Sequence, residues 1–218
     1  MSWDWEFTQE IFPEILAAFF KFTLLLTFAS AAVAIVLGLM LALGRRSQVK
    51  AISWPSYSVV EFVRSTPIPV QLFLVYFGLP EAGVRLSALT SAVIVFGIHY
   101  AAYMSEVYRA GIEAIPKGQW EASTALSLSP TRTWQAVVLP QVVRRVLPSM
   151  GNQIIALFKE TPFAIVIGVQ EMVTVARQNG AQQFQYLEPF TIAGLIFLVA
   201  SYPTSVLMRK LEIRLGHA

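Results

Sequence analysis

Residues 22–43 run for twenty-two positions without a single charge. Crossing about 30 Å of hydrocarbon at ~1.5 Å per residue takes roughly 20 predominantly apolar residues in a helix. Few folds other than a membrane-spanning bundle accommodate such a run, and the chain repeats it. Residues 86–105 hold only His99 as a group titrating near neutral pH, and residues 189–208 hold none, with Pro203 a point for a kink. Two further segments are less regular. Residues 54–80 carry Glu61 and Arg64 in their first half and then turn densely apolar, while residues 146–170 are interrupted by Lys159 and Glu160, followed by Thr161 and Pro162. Both read as spanning helices, the second one broken. The expected fold is an all-α integral membrane protein, one domain over residues 1–218, with spans near 17–43, 55–80, 86–106, 146–170 and 189–208.

Composition agrees with that reading. The chain is 56% apolar and 13% charged, against roughly 45–50% and about 25% in soluble domains. The first residues are acidic and aromatic rather than basic, so the first apolar stretch reads as a retained anchor, not a secretory signal. Lysines and arginines concentrate on one side of the bilayer. With the N-terminus outside, eleven of them fall in cytoplasmic segments, against Lys21, Arg85 and Arg177 outside. The expected topology is therefore N-terminus out, C-terminus in.

This places residues 109–145 in the cytoplasm as a long polar loop. Pro116 opens a helix through Trp120 and Glu121 to about Leu126. Ser129 then supplies an N-cap with Pro130 at the first helical position, which starts a second short helix. Pro140 is expected to end or kink it. Such an element, held parallel to the membrane, can insert into a groove on a partner and act as a lever. Glu121 is available for partner cations, while Ala122, Ala125 and Leu126 form a small apolar face. The alternative is an amphipathic loop resting on lipid.

Polar groups inside the spans mark the other candidates. Ionisable residues at membrane depth face a cavity or a partner, and broken helices line transport pathways. Lys159, Glu160 and Thr161 fit a pathway or gate, or else a structural ion pair. Adjacent residues do not face each other on a helix, so Lys159 and Glu160 should have different partners. Gln71 is either an interhelical hydrogen bond or a pathway contact. Tyr100 and Tyr103 share the third span with His99, which reads as hydrogen-bonded packing. Arg64 reads as an arginine snorkelling to head groups, and Glu106 as the partner of Arg109 at i+3.

Several chemistries are excluded. The chain has no cysteine and two separated histidines, His99 and His217, which leaves no thiolate or His-based metal site. It lacks a G-x-x-x-x-G-K-[ST] loop, an H-E-x-x-H pair and a G-x-S-x-G elbow, so neither nucleotide binding nor hydrolysis is expected, and no cofactor. A net charge of +3 with basic residues at segment ends does not suit nucleic acid.

Glu121-Ala122-Ser123, Leu126 to Ser129 and Leu139-Pro140 resemble the "EAA" loop of ABC importer permease subunits. Four flanking blocks extend the likeness over residues 15–210: Arg64 to Pro67 with Gln71 and Tyr76 to Pro80; Glu106 to Ile112; Ile115 to Gln119; and Gly151 to Gln153 before Lys159 to Thr161. Together they resemble the polar amino-acid uptake (histidine-, glutamine- and arginine-type) subfamily, among which ectoine-type compatible-solute permeases also fall. The resemblance implies a bacterial inner-membrane permease that is not itself an enzyme. Its implied partners are a cytoplasmic ABC ATPase, an extracytoplasmic solute-binding protein and a second permease subunit, identical or sibling. It assigns ATPase coupling to Glu121, Ala122, Ser123, Ala125, Leu126, Ser127, Leu139 and Pro140, and the substrate pathway to Gln71, Tyr100, Tyr103, Lys159, Glu160 and Thr161. One position departs from the pattern: the family usually has glycine where the two short helices meet, and this chain has Ser127. Serine enters the left-handed backbone less readily than glycine. The competing functional readings are an ion-coupled secondary transporter using Lys159, Glu160 and His99, and a non-transporting membrane scaffold.

Overall fold

The computed structural model describes residues 3–215, so His217 lies outside them. Helix α1 spans Trp5–Arg45, starting well before the apolar run that predicts it. The early start has a local cause: the Asp4 side chain accepts a hydrogen bond from the Phe7 amide and caps the first turn. At ~1.5 Å per residue this helix is roughly 60 Å long, about twice the hydrocarbon thickness. A π-helical turn at Phe19–Thr23 separates its amphipathic first part from its apolar second part.

Helix α2, Lys50–Arg64, and α3, Ile68–Ala82, occupy the segment expected to be one span, but they meet at 107°. Pro67 and Pro69 are the reason. Neither has an amide hydrogen to continue the ladder, and the carbonyls of Val63 and Ser65 lose their i+4 donors. Helix α4 runs Ala88–Glu113, capped by the Ser87 hydroxyl, which accepts from the Thr90 amide. Helix α5 is the short Lys117–Ala125.

Helix α6, Pro130–Ile167, passes straight through Pro140. The expectation of a break there is corrected: a π-helical turn at Thr133–Val138 absorbs the missing proline donor, and the helix continues as Leu139–Glu160. It tightens to 3-10 geometry at Thr161–Ile167, next to the expected interruption, and stops at a left-handed Gly168 with φ 77°. After a 51° change of direction, α7 runs Met172–Gln183, and α8, Leu187–Arg214, closes the chain with Pro203 inside it.

The centre of the bundle is the contact between the second part of α1 and α4, where Gly38 lets the α4 backbone approach at Ala101 and Met104. Leu26, Leu72, Phe96, Met104 and Leu157 fill the core around it. A second cluster packs Phe7, Ile11 and Ile15 of α1 against Met172 and Ala176 of α7 and Ile192 of α8. Meanwhile Phe28, Val36 and Met40 on α1 and Leu198, Val199 and Tyr202 on α8 stay exposed. That inversion suits a bilayer, where lipid is as apolar as leucine and helices associate through small residues and close fit.

Candidate functional site

The short α5 and the start of the long α6, expected as a second short helix, are joined by a tight turn. Helix α5 ends in a Schellman motif: the Leu128 amide donates to the Ser123 carbonyl at 3.0 Å and the Ser127 amide to Thr124 at 2.9 Å. Ser127 is the left-handed residue, φ 52°. The conformation that glycine normally supplies is thus kept with serine in place. Ser129 then caps α6 by accepting from the Arg132 amide, as its position before Pro130 predicts.

One side of this element is clamped to the bundle. Trp120 and Trp134 meet edge to face at 5.5 Å, and both pack on a cluster of Ile112, Ile115, Val138, Val142 and Val146. Gln141 Nε2 donates to Gln119 Oε1 at 3.2 Å, and the Arg46 guanidinium lies 5.9 Å from the Trp134 ring. The opposite side is open. Glu121, Ala122, Ala125 and Ser127 are exposed, Leu126 is 74% exposed, and Leu139 and Pro140 are exposed at the next turn. Ser123 differs from its neighbours: it is buried, and its hydroxyl donates back to the Gln119 carbonyl. Its hydroxyl is engaged within α5 itself.

Inside the bundle, polar residues are engaged with one another. Gln71 Nε2 donates to the Val63 carbonyl at 2.9 Å, to the Thr66 carbonyl at 3.1 Å and to Thr66 Oγ1 at 2.6 Å. It thereby replaces the amide that Pro67 lacks and straps the 107° bend. Its oxygen is left facing His99 Nδ1 at 3.2 Å, which must donate. The His99 and Tyr103 rings lie 5.4 Å apart, tilted by 42°, and the Arg64 guanidinium lies 5.5 Å from the Tyr103 ring. The Tyr100 hydroxyl donates to Glu160 Oε2 at 2.8 Å, while Lys159 points to the exposed side. Thr161 is fully buried, with its hydroxyl donating to the Phe158 carbonyl.

Where α1, α2 and α4 end together, Glu106 binds three arginines. Its carboxylate meets Arg45 at 2.7 Å, Arg109 at 2.8 Å and Arg64 at 3.2 Å. The expected Arg109 pair is present, and Arg64 also reaches Glu106 and, at 3.8 Å, Glu61. Sequence reasoning missed Arg45, although depth could have found it, since Arg45 and Glu106 both follow closely on apolar runs. It also missed Glu171, which is fully buried and caps α7 by accepting from the Val173 and Thr174 amides and the Thr174 hydroxyl. Only Met172 and Val173 separate Glu171 from Thr174, and that glutamate-to-threonine i+3 spacing was the one local hint of a cap.

Residues 34–217 match the model of the family described as the binding-protein-dependent transport system inner membrane component. The chain belongs to this family. It is the permease component of an ABC importer; the ATPase is a separate partner. Among curated relatives, a probable amino-acid ABC transporter permease of Sinorhizobium fredii is 38% identical over 96% of this chain and 90% of its own length. The arginine transport system permease protein ArtQ of Bacillus subtilis is 36% identical over 97% of this chain and 99% of its own. The glutamine transport system permease protein GlnP of Escherichia coli is 34% identical, covering 99% of each. A crystal structure of an amino acid ABC transporter with histidines superposes with TM-score 0.92 at 32% identity, over 98% of the permease and all of that chain. The inward-facing MetNI methionine transporter, at 19% identity and TM-score 0.74, shares the fold. The all-helical permease fold read from the sequence is therefore the one this chain adopts.

Proposed function

We propose that this permease imports polar amino acids or amino-acid-derived zwitterions. It crosses the bilayer five times, N-terminus outside and C-terminus inside, with the α2–α3 and α6–α7 bends within the membrane. A second permease subunit, identical or sibling, completes the pathway, and a solute-binding protein delivers substrate from outside. The cytoplasmic ATPase docks on the outer face of α5.

The observation that carries the docking reading is the two-sidedness of that element. Its inner face is fixed by the Trp120–Trp134 contact, while Leu126 stands 74% exposed near Glu121, largely uncovered by the described residues. A rigid support under an uncovered apolar knob suits a lever pushed by a partner. For the pathway, Glu160 offers a carboxylate held by Tyr100, and Tyr103 offers an aromatic face to an ammonium group. Lys159 offers the complementary charge to a carboxylate. The amide of Gln71 is committed to the bend, so it shapes the pathway wall, and buried Thr161 holds the helix break behind it.

The test is co-purification of the ATPase subunit with wild-type permease and with Glu121→Arg. Wild type should retain the ATPase, and the variant, still folded, should lose it. Equal recovery would remove Glu121 from the docking contact. Uptake of labelled arginine and glutamine into vesicles, with and without ATP, checks the substrate class.

A further inference from the structure

We propose that the cleft shared by the ends of α1, α2 and α4 binds the phosphate headgroup of an anionic phospholipid. The proposal rests on the cytoplasmic orientation given above and on no feature of ATPase docking. The cleft has a volume of about 610 Å³ and is lined by Arg45 and Arg46 from the end of α1, Ser53, Trp54, Tyr57 and Ser58 of α2, and Arg109 and Glu113 of α4, the one carboxylate being paired with Arg109. Its depth is set by the sequence: Arg45 follows the uncharged run by two residues, which puts the guanidiniums where hydrocarbon gives way to headgroups. Basic pockets between helices at the cytoplasmic surface are where anionic headgroups bind.

The charges leave room for one anion. At this corner four arginines (Arg45, Arg46, Arg64 and Arg109) meet three carboxylates (Glu61, Glu106 and Glu113). Arg46 is the odd one: it makes no ion pair among the described residues and rests only on the Trp134 ring. Its excess of one positive charge equals the single negative charge of a phosphodiester. An arginine fork also matches phosphate oxygens in geometry, and Ser53 brings a hydroxyl to the same wall.

The cleft is also built for a lipid rather than a free anion. Trp54 and Tyr57 are 72% and 55% exposed, as interfacial aromatics are. Exposed apolar residues continue from the lining toward the membrane on shared helix faces. On α1, Leu39 and Leu43 sit seven and three residues before Arg46, and on α2, Phe62 follows Trp54 by eight. These positions give acyl chains a track leading away from the guanidiniums.

The probes are dioleoyl-phosphatidylglycerol and dioleoyl-phosphatidylcholine, titrated onto the delipidated full-length permease and counted by native mass spectrometry. Phosphatidylglycerol should be retained in preference to phosphatidylcholine. Arg46→Gln should weaken its binding about fivefold, and Arg209→Gln, the same charge removed elsewhere on the cytoplasmic side, should not. No preference between the lipids, or an equal loss from Arg209→Gln, would overturn the site. Competition by soluble glycerol phosphate at concentrations matching the lipid would assign the cleft to a free anion and overturn the lipid. Loss of co-purified ATPase from Arg46→Gln with unchanged lipid retention would make it a protein contact instead. Should Arg46→Gln not fold, wild type in a salt series decides: phosphatidylglycerol retention must fall with salt while phosphatidylcholine retention stays level.

Discussion

Replacing Glu106 by glutamine keeps the shape of the side chain and removes the one charge that three arginines share. The consequences differ by partner. Arg45 keeps only 10% of its side chain exposed and sits 2.7 Å from the carboxylate, so its guanidinium would be left half-desolvated without a counter-ion. Breaking a fully buried pair costs about 3–5 kcal/mol and an exposed pair about 0–1 kcal/mol. The Arg45 contact lies between these limits, near 2 kcal/mol. Arg64 and Arg109, with 36% and 37% of their side chains exposed, fall in the surface class at roughly 0.5 kcal/mol each. The glutamine oxygen still accepts one hydrogen bond, which returns about 0.5–1 kcal/mol. The net expectation is about 2 kcal/mol of destabilisation. The assay is unfolding of the purified permease in mixed micelles of increasing denaturing-detergent fraction, run as a cycle with Arg45→Gln and the double variant. The coupling between the two sites should be about 1.5–2 kcal/mol. Additive single effects, or a Glu106→Gln variant within 0.5 kcal/mol of wild type, would show that the cluster is too well hydrated to brace the three helix ends.

Ser127→Gly should stabilise the α5–α6 turn. Relief of a left-handed serine contributes about 1–2 kcal/mol, and the extra freedom of glycine in the unfolded chain takes back roughly 0.5–1 kcal/mol. Slower amide hydrogen exchange at Ser127 and Leu128, about threefold, is the measurement. Gly38→Ala should destabilise by about 1–3 kcal/mol, because a Cβ there would lie 2.5 Å from Met104 Cβ and 3.0 Å from the Ala101 carbonyl oxygen. The same micelle titration reads it, and an unchanged midpoint would mean that α1 and α4 separate without loss.

Much of this permease was legible before any coordinates. Charge-free runs of sufficient length fixed three helices, because a bilayer leaves a backbone no alternative to internal hydrogen bonding. The Ser129-Pro130 start was legible because proline and caps act over a single turn, while the break expected at Lys159 to Pro162 is a change to 3-10 geometry, with the 51° turn falling later, after Gly168. Pro140 was misread for a related reason: a missing donor announces trouble in the ladder, but whether it yields a stop or a π-helical turn depends on what holds the helix on either side. Here the helix does not end but continues, with Val138 and Val142 on either side of Pro140 packed in one buried cluster. The bend between α2 and α3 was hidden similarly, since two prolines permit 107° only when Gln71 supplies replacement donors from five and eight residues away.

The sequence by itself determined that the chain is helical and that it lives in a membrane, because these follow from hydrocarbon thickness and short-range backbone chemistry. The tertiary structure alone decided which charges meet. Arg45 and Glu106 are sixty-one residues apart in sequence and 2.7 Å apart across their ion pair. Ser123 is turned inward on α5, while Leu126, the residue that caps its end, stands outward. Pairing and facing depend on how whole helices pack, and packing is set by contacts that no local window of residues contains.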